Sequence, residues 1–258
     1  MQLRVQADKS TFSAEEWQVR VDLAAAHRAA VMEGLHEGIF NHLTARVPGK
    51  PRYYQIPFGM HWSEVHASCF MEVDYDGKVQ FGDGHMEQSA YCIHAPIHRD
   101  VEHAGCVMHT HMPFASALTR LEDPRIKPIG QTECLLMKSI AYDMDYTGPA
   151  FDPAEGERLA GLIGDKTILF MANHGVSTVT RTVAEAFDKL YYLERAAQQQ
   201  LYAMWTGQPL RELPAEVIER TMNSTGTGNN NFEGKKPFEF HFAALKRILD
   251  RREPDYAE

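Results

Sequence analysis

His109 and His111 flank one threonine in VMHTHMP, at the end of the apolar run Ala104 to Met108. Residues two apart in a β-strand project to the same face, so both imidazoles can reach one point in space. Such an HxH pair is a natural two-ligand half-site, although two solvated or core-packed histidines give the same spacing. His174 supplies a third ring: it follows a second apolar run, Thr167 to Met171, and precedes Gly175, at a strand end where it can converge on the other two. Three neutral imidazoles suit a divalent ion, zinc first and also iron, manganese or cobalt, and leave at least one coordination position open. An open position implies substrate binding or chemistry. Thirteen histidines in the chain direct attention the same way.

The two runs that deliver these rings are short, apolar and glycine-flanked, as buried strands are. Around them the pattern alternates between sheet and helix. Ser13 with Glu16 makes a capping box, and the periodicity of Trp17, Val21, Leu23, Ala24, Ala30 and Val31 predicts a helix to about His36, ended by Gly38. From Val47 to Val79, YYQIP and CFMEVDY are β-type runs broken by Pro57, Gly59 and the Asp76-Gly77 turn. A helix over Ser89 to His98 carries Pro96, which should kink it. FASALTRL after Pro113 is a short helix, and PIGQTECLLMKSIAYDMDY is expected as short strand and loop pieces. Asp152-Pro153-Ala154-Glu155 starts a helix that ends near Gly164. Thr182 and Glu185 form a second capping box for a helix through Trp205, closed by Gly207. NSTGTGNNN is expected as a flexible loop and FHFAALKRILDRR as a last helix.

The chain has 258 residues, 44% of them hydrophobic, which suffices for one large domain with a buried core. Lysine and arginine total 26 against 35 acids, a formal charge of -9, and no basic cluster is interleaved with aromatics. Nucleic acid is therefore not an expected partner. MQLRVQADKSTF has no apolar leader core, and no apolar run approaches the roughly 20 residues that cross a bilayer. A cytoplasmic protein with no membrane partner is expected. Cys69, Cys92, Cys106 and Cys134 lack CxxC spacing and sit among apolar neighbours, as reduced core thiols do.

CIHAPIHRDVEHAGCVMHTHMPFASAL resembles the segment of the class II aldolase/adducin family that leads to its paired metal histidines. LFMANHGVSTVTRTVAEAFDKLYYLERAAQ is similar to the segment with the third ligand in an NHG motif and an EAF helix. AAAHRAAVMEGLHEGIFNHLTARVPG resembles the family's first helix and substrate-loop asparagine, and IAYDMDYTGPA the strand and turn between ligands. The likeness runs from about residue 20 to 205. It implies an α/β fold: a single-domain α/β/α sandwich with a central, mostly antiparallel sheet over residues 1–210. Residues 211–258 are then a C-terminal loop and helix, a candidate for a subunit interface. The resemblance further implies a homo-oligomer, with a tetramer favoured, a small-molecule substrate, His109, His111 and His174 as metal ligands, and Asn41 as a substrate contact.

The chain departs from the aldolases in one place that matters. In a register anchored on His109 and His94, the family's acid/base glutamate falls at Ala90, and a methyl group transfers no proton. Phe58 replaces a serine of the phosphate loop, so of that cradle only Asn41, Gly59 and Ser89 remain as substrate-binding candidates. A phosphorylated sugar fits poorly. Glu87, Tyr91 and His85 are the candidates for a proton group supplied from a shifted loop. The expectation is a metal-dependent carbon-carbon lyase, of decarboxylase or aldolase type, acting on an unphosphorylated hydroxy or keto acid or similar oxygen-rich molecule. An adducin-like non-catalytic binding module and a non-haem iron oxygenase on the same fold are the alternatives. His94 is expected as a packing histidine; His42 either faces substrate or bonds a backbone carbonyl. Structural roles are expected for Glu133, Asp143 and Tyr146. Family aldolases bring C-terminal tyrosines across an interface, which makes Tyr256 a minor candidate.

Overall fold

The structure is a computed structural model that describes residues 8–224 and 233–258. The first helix, α1 (Ala14–Met32), opens on the expected box: Ser13 Oγ accepts from Glu16 N–H at 3.1 Å and Glu16 accepts from Ser13 N–H at 2.8 Å. It stops four residues before His36. Gly34 adopts a φ of 70°, its N–H bonds Val31 O, and Leu35 N–H reaches back to Ala30 O at 2.8 Å. That pair of bonds is a Schellman closure, which a glycine at this position permits. The chain released at Leu35 becomes a wall of the candidate site.

Eight strands form one sheet: β1 (His42–Arg46), β2 (Arg52–Gln55), β3 (Met71–Asp74), β4 (Val79–Phe81), β5 (Cys106–Thr110), β6 (Ile140–Asp143), β7 (Ile168–Met171) and β8 (Val176–Thr180). Their spatial order is β4-β3-β2-β1-β5-β8-β7-β6, and each pairing is antiparallel except β6 with β7. β1 is an addition to the sequence reading, which assigns residues 42–46 to no helix or strand. Its HLTAR stretch is buried along nearly its whole length, so no alternation of polar and apolar residues announces it.

The remaining helices are α2 (Gln88–Asp100), α3 (Pro113–Leu118), α4 (Gln131–Met137), α5 (Pro153–Ile163), α6 (Val183–Trp205), α7 (Ala215–Met222) and α8 (Pro237–Arg252). α4 corrects the expectation of strand and loop before Ile140. Two turns are too short to establish a helical period, yet Glu133, Leu135, Leu136 and Met137 are good helix formers. α7 was likewise not anticipated. In the stretch NSTGTGNNN, residues 225–231 lie outside the described residues. At α6 only half of the expected box forms: Thr182 accepts from Glu185 N–H.

The layers follow from the strand alternation. Met108 and Phe170 join the core shared with Leu23 of α1, Leu190 of α6 and Leu245 of α8. Val107 and Leu169, one residue earlier, face the second core with Ile97 of α2 and Leu159 of α5. Helices cover both faces of the sheet, which makes an α/β/α sandwich. His109, two residues after Val107, projects to the α2 face. The four cysteines are free and buried. Among the described residues no helix is long and apolar enough to cross a membrane.

Candidate metal centre

The structure brings His109, at the end of β5, His111, just beyond it, and His174, in the β7–β8 turn, into one cluster. One nitrogen or more from each ring lies within 4.8 Å of the others. The ring centroids stand 4.9, 4.8 and 5.0 Å apart, a nearly equilateral triangle. The outer atoms fix the tautomers. His109 Nδ1–H donates to Val176 O at 3.0 Å, and His111 Nδ1–H donates to Oε2 of Glu37 at 2.5 Å. Both Nε2 atoms are then lone-pair donors aimed inward, 3.1 Å apart. A backbone carbonyl behind one imidazole and a carboxylate behind another is the outer-shell arrangement that orients metal-ligating histidines. Burial, followed by the neighbouring imidazoles, pushes His109 well below its ordinary value; burial and His111 bring His174 down to about 4. Neutral rings are the ligand form.

Local sequence explains how His174 arrives there. Asn173 has a φ of 56°, the left-handed region that asparagine tolerates better than most residues, and its N–H is tied to Thr119 O at 2.9 Å. His174 O accepts from Arg120 Nη1 at 3.0 Å. Gly175 follows because nothing larger fits: a Cβ there would lie 2.7 Å from both His111 Cδ2 and Thr110 O. The asparagine thus turns the chain, the histidine points inward, and the glycine lets the strand ends close together.

The cluster opens into a cleft of about 680 Å³. Glu37, Ile39, Phe40 and His42 form one wall, Glu87, Ser89 and Ile93 another, and Tyr146, Pro149 and Ala150 the side nearest His174. Glu87 is the N-cap of α2, where its carboxylate accepts from Ala90 N–H at 2.9 Å and from the Ser89 hydroxyl at 2.7 Å. Its Oε2 lies 2.6 Å from Nε2 of His42. Burial pushes this carboxyl up, but His42 and those hydrogen bonds outweigh it and hold it at about 2. Glu87 is therefore a fixed negative charge beside His42. His42 in turn pairs with His109 across β1 and β5, and the two rings stack at 5.6 Å.

Of the proton-group candidates, Glu87 reaches the cleft and the other two do not. Tyr91 packs over the β3–β4 turn, so close that a Cβ on Gly77 would meet its ring at 2.9 Å. One residue is a 100° step on a helix, which carries position 91 round from the face that Ala90 buries. His85 does not line the cleft; its backbone carbonyl accepts from Phe58 N–H at 2.7 Å. Ser89 lines the cleft. Asn41 and Gly59 instead line a small adjoining cavity with Phe58 and Gln55. Asn41 Oδ1 accepts from the backbone N–H of Glu37 and of His111, which ties the loop after α1 to the end of β5. Its Nδ2 is buried with no partner among the described residues.

His94 is fully buried and bonded through Nδ1 to Thr44, which also meets His98 Nε2 at 2.8 Å, in keeping with a packing role. Asp143 makes a two-point contact with Arg158, Glu133 is buried, and the Tyr256 hydroxyl donates to Asp250. Tyr146 departs from the structural role expected of it: half-exposed, it stands against His174 with centroids 6.0 Å apart. The sequence reading missed Glu37 altogether. It lies 74 residues from His111, with no local pattern that could have linked them.

A family model described as the Class II Aldolase and Adducin N-terminal domain matches residues 21–201. The chain is 32% identical over 253 residues to a candidate class 2 aldolase of Caulobacter vibrioides, covering 97% of this chain and 96% of that protein. It is 30% identical to alpha-adducin of Rattus norvegicus, covering 95% of this chain but 34% of the adducin. Among solved structures, an aldolase II superfamily protein from Pseudomonas syringae superposes with a TM-score of 0.88 at 32% identity, covering 98% of this chain and all of that one.

Proposed function

Because the chain belongs to the class II aldolase and adducin family, we propose that it is a metal-dependent lyase acting on an unphosphorylated hydroxy or keto acid. The observation that carries this reading is the triangle of inward-facing imidazoles at the floor of an open cleft. His109, His111 and His174 would hold the ion, with zinc the first candidate, and Val176 O and Glu37 would keep two of the rings in register. A cation bound there supplies Lewis-acid stabilisation of negative charge developing on a substrate oxygen.

The chain's own groups favour decarboxylation over aldol cleavage. Aldol cleavage needs a base to take a hydroxyl proton, and effective bases are poised near the working pH. Ala90 has nothing to offer and Glu87, at about 2, keeps its charge; the one remaining imidazole on the cleft wall beside it, His42, has its Nε2 already taken by that carboxylate at 2.6 Å. Loss of carbon dioxide needs no such base, because the departing group leaves its electron pair behind. Among the described residues neither the cleft nor the small cavity beside it is lined by lysine or arginine, which argues against a phosphate ester. The reading includes a homo-oligomer, a tetramer first, in the cytoplasm.

The likeness to alpha-adducin across 95% of this chain supports a second reading, a non-catalytic binding module on the same fold. Metal analysis separates the two. The lyase reading expects a stoichiometric divalent ion that is lost in the His109→Ala/His111→Ala variant, together with carbon dioxide release from a keto-acid panel. Metal-free protein of undiminished stability and no turnover after zinc, manganese or iron loading would leave only the module.

A further inference from the structure

The walls of the cleft differ from its floor. Above the imidazoles stand Ile39, Phe40, Ile93, Pro149 and Ala150, and the polar side chains between them are mostly committed. Glu37 is engaged by His111, Glu87 by His42, and the Ser89 hydroxyl donates to Glu87. Each hydroxyl of a polyhydroxylated substrate that is taken out of water against these walls without a partner carries an uncompensated desolvation cost, so such a substrate gains little from them. Phe40 is 60% exposed, with Phe58 behind it at a centroid distance of 6.4 Å. That is a large apolar surface facing an open volume, and a second ring, Tyr146, lines the same cleft beside His174.

Resting on the reading of the triad as a substrate site, we propose that the body of the substrate is an aryl group packed against Phe40, with its acid end toward the imidazoles. An aromatic ring matches the wall in shape and polarity, and an offset or edge-on ring pair adds to the area it buries. A cleft of about 680 Å³ accommodates a ring with a three-carbon acid. The competing occupant of Phe40 is a second copy of the chain.

The test uses titration calorimetry on the full-length protein with three acids of one headgroup chemistry: 3-phenyllactate, lactate and erythronate. Phenyllactate is expected to bind roughly tenfold or more tighter than either of the others. Phe40→Ala should bring the ratio of phenyllactate to lactate affinity close to one, and Phe40→Leu should fall between. Equal or tighter binding of erythronate, no phenyllactate binding, or a Phe40→Ala protein that changes oligomeric state while keeping the aryl preference would each overturn the proposal. A parallel titration with zinc alone reports on the floor. Zinc binding without aryl preference sinks the aryl proposal only, whereas aryl preference without zinc binding sinks the metal reading beneath it.

Discussion

At the scale of single residues, Gly175 limits the site most tightly. The contact that an added methyl would make is with the His111 ring and a backbone oxygen, neither of which is a flexible side-chain end. Gly175→Ala is therefore expected to lower stability by about 1–3 kcal/mol, the usual cost of overpacking, and to weaken zinc binding as His111 is pushed from its place. Urea unfolding and a zinc titration of the same preparation check both; an alanine variant that binds zinc as tightly as the parent would show that the rings have slack. The asparagine before it acts through the backbone, since its left-handed φ sets the direction in which His174 leaves the turn.

Elements hold the three clustered imidazoles by their ends, and α3 is the clearest case. It begins at Pro113, two residues past His111, and its first amides are capped from a distant helix: Glu194 of α6 accepts from Phe114 N–H and Ala115 N–H, both at 2.8 Å. Burial raises this carboxyl while the two amides act against the rise. Removing it in Glu194→Ala leaves two donors unpaired, one of them fully buried, and should cost about 2 kcal/mol. The expected readout is a lower urea midpoint at unchanged slope. Glu194→Gln, which keeps one acceptor oxygen, should recover part of the loss. If the alanine variant matched the parent, the cap would not be what fixes the chain after His111.

For the whole molecule, buried histidines set the acid limit. His27 packs against Trp62 and Phe70 in the main core, and His98 lies beneath the sheet; both are fully buried. Burial brings them to about 4 and about 3 from an ordinary 6.5, partly opposed by bonds to Leu23 O and Ala104 O. A folded-state value below the unfolded one means that the neutral ring is favoured in the native state. The stability from this source is complete above pH 6.5, declines as pH falls below it, and is exhausted once each folded value is passed. At pH 5 the loss is roughly 2 kcal/mol for each ring. Urea unfolding of chelator-treated protein between pH 7.5 and 5 should show the decline, and His27→Leu should flatten it by one ring's share. A pH-independent midpoint over that range would mean that these rings are reached by water.

The histidine spacing, the strand-glycine contexts and the capping residues belong to short segments, and short-range physics determined them: two-residue strand period, cap chemistry and turn preferences leave their marks within a few positions. The resemblance to the family, and with it the sandwich fold, rested on such local motifs. Tertiary structure alone decided which carboxylates stand near the imidazoles, because Glu37 and Glu87 reach His111 and His42 through the Schellman turn after α1 and the N-cap of α2, across gaps of 74 and 45 residues. It also decided that Tyr91 leaves the cleft and Tyr146 enters it. Rotation about a helix axis and the path of a loop depend on everything packed around them, and no local pattern encodes those contacts.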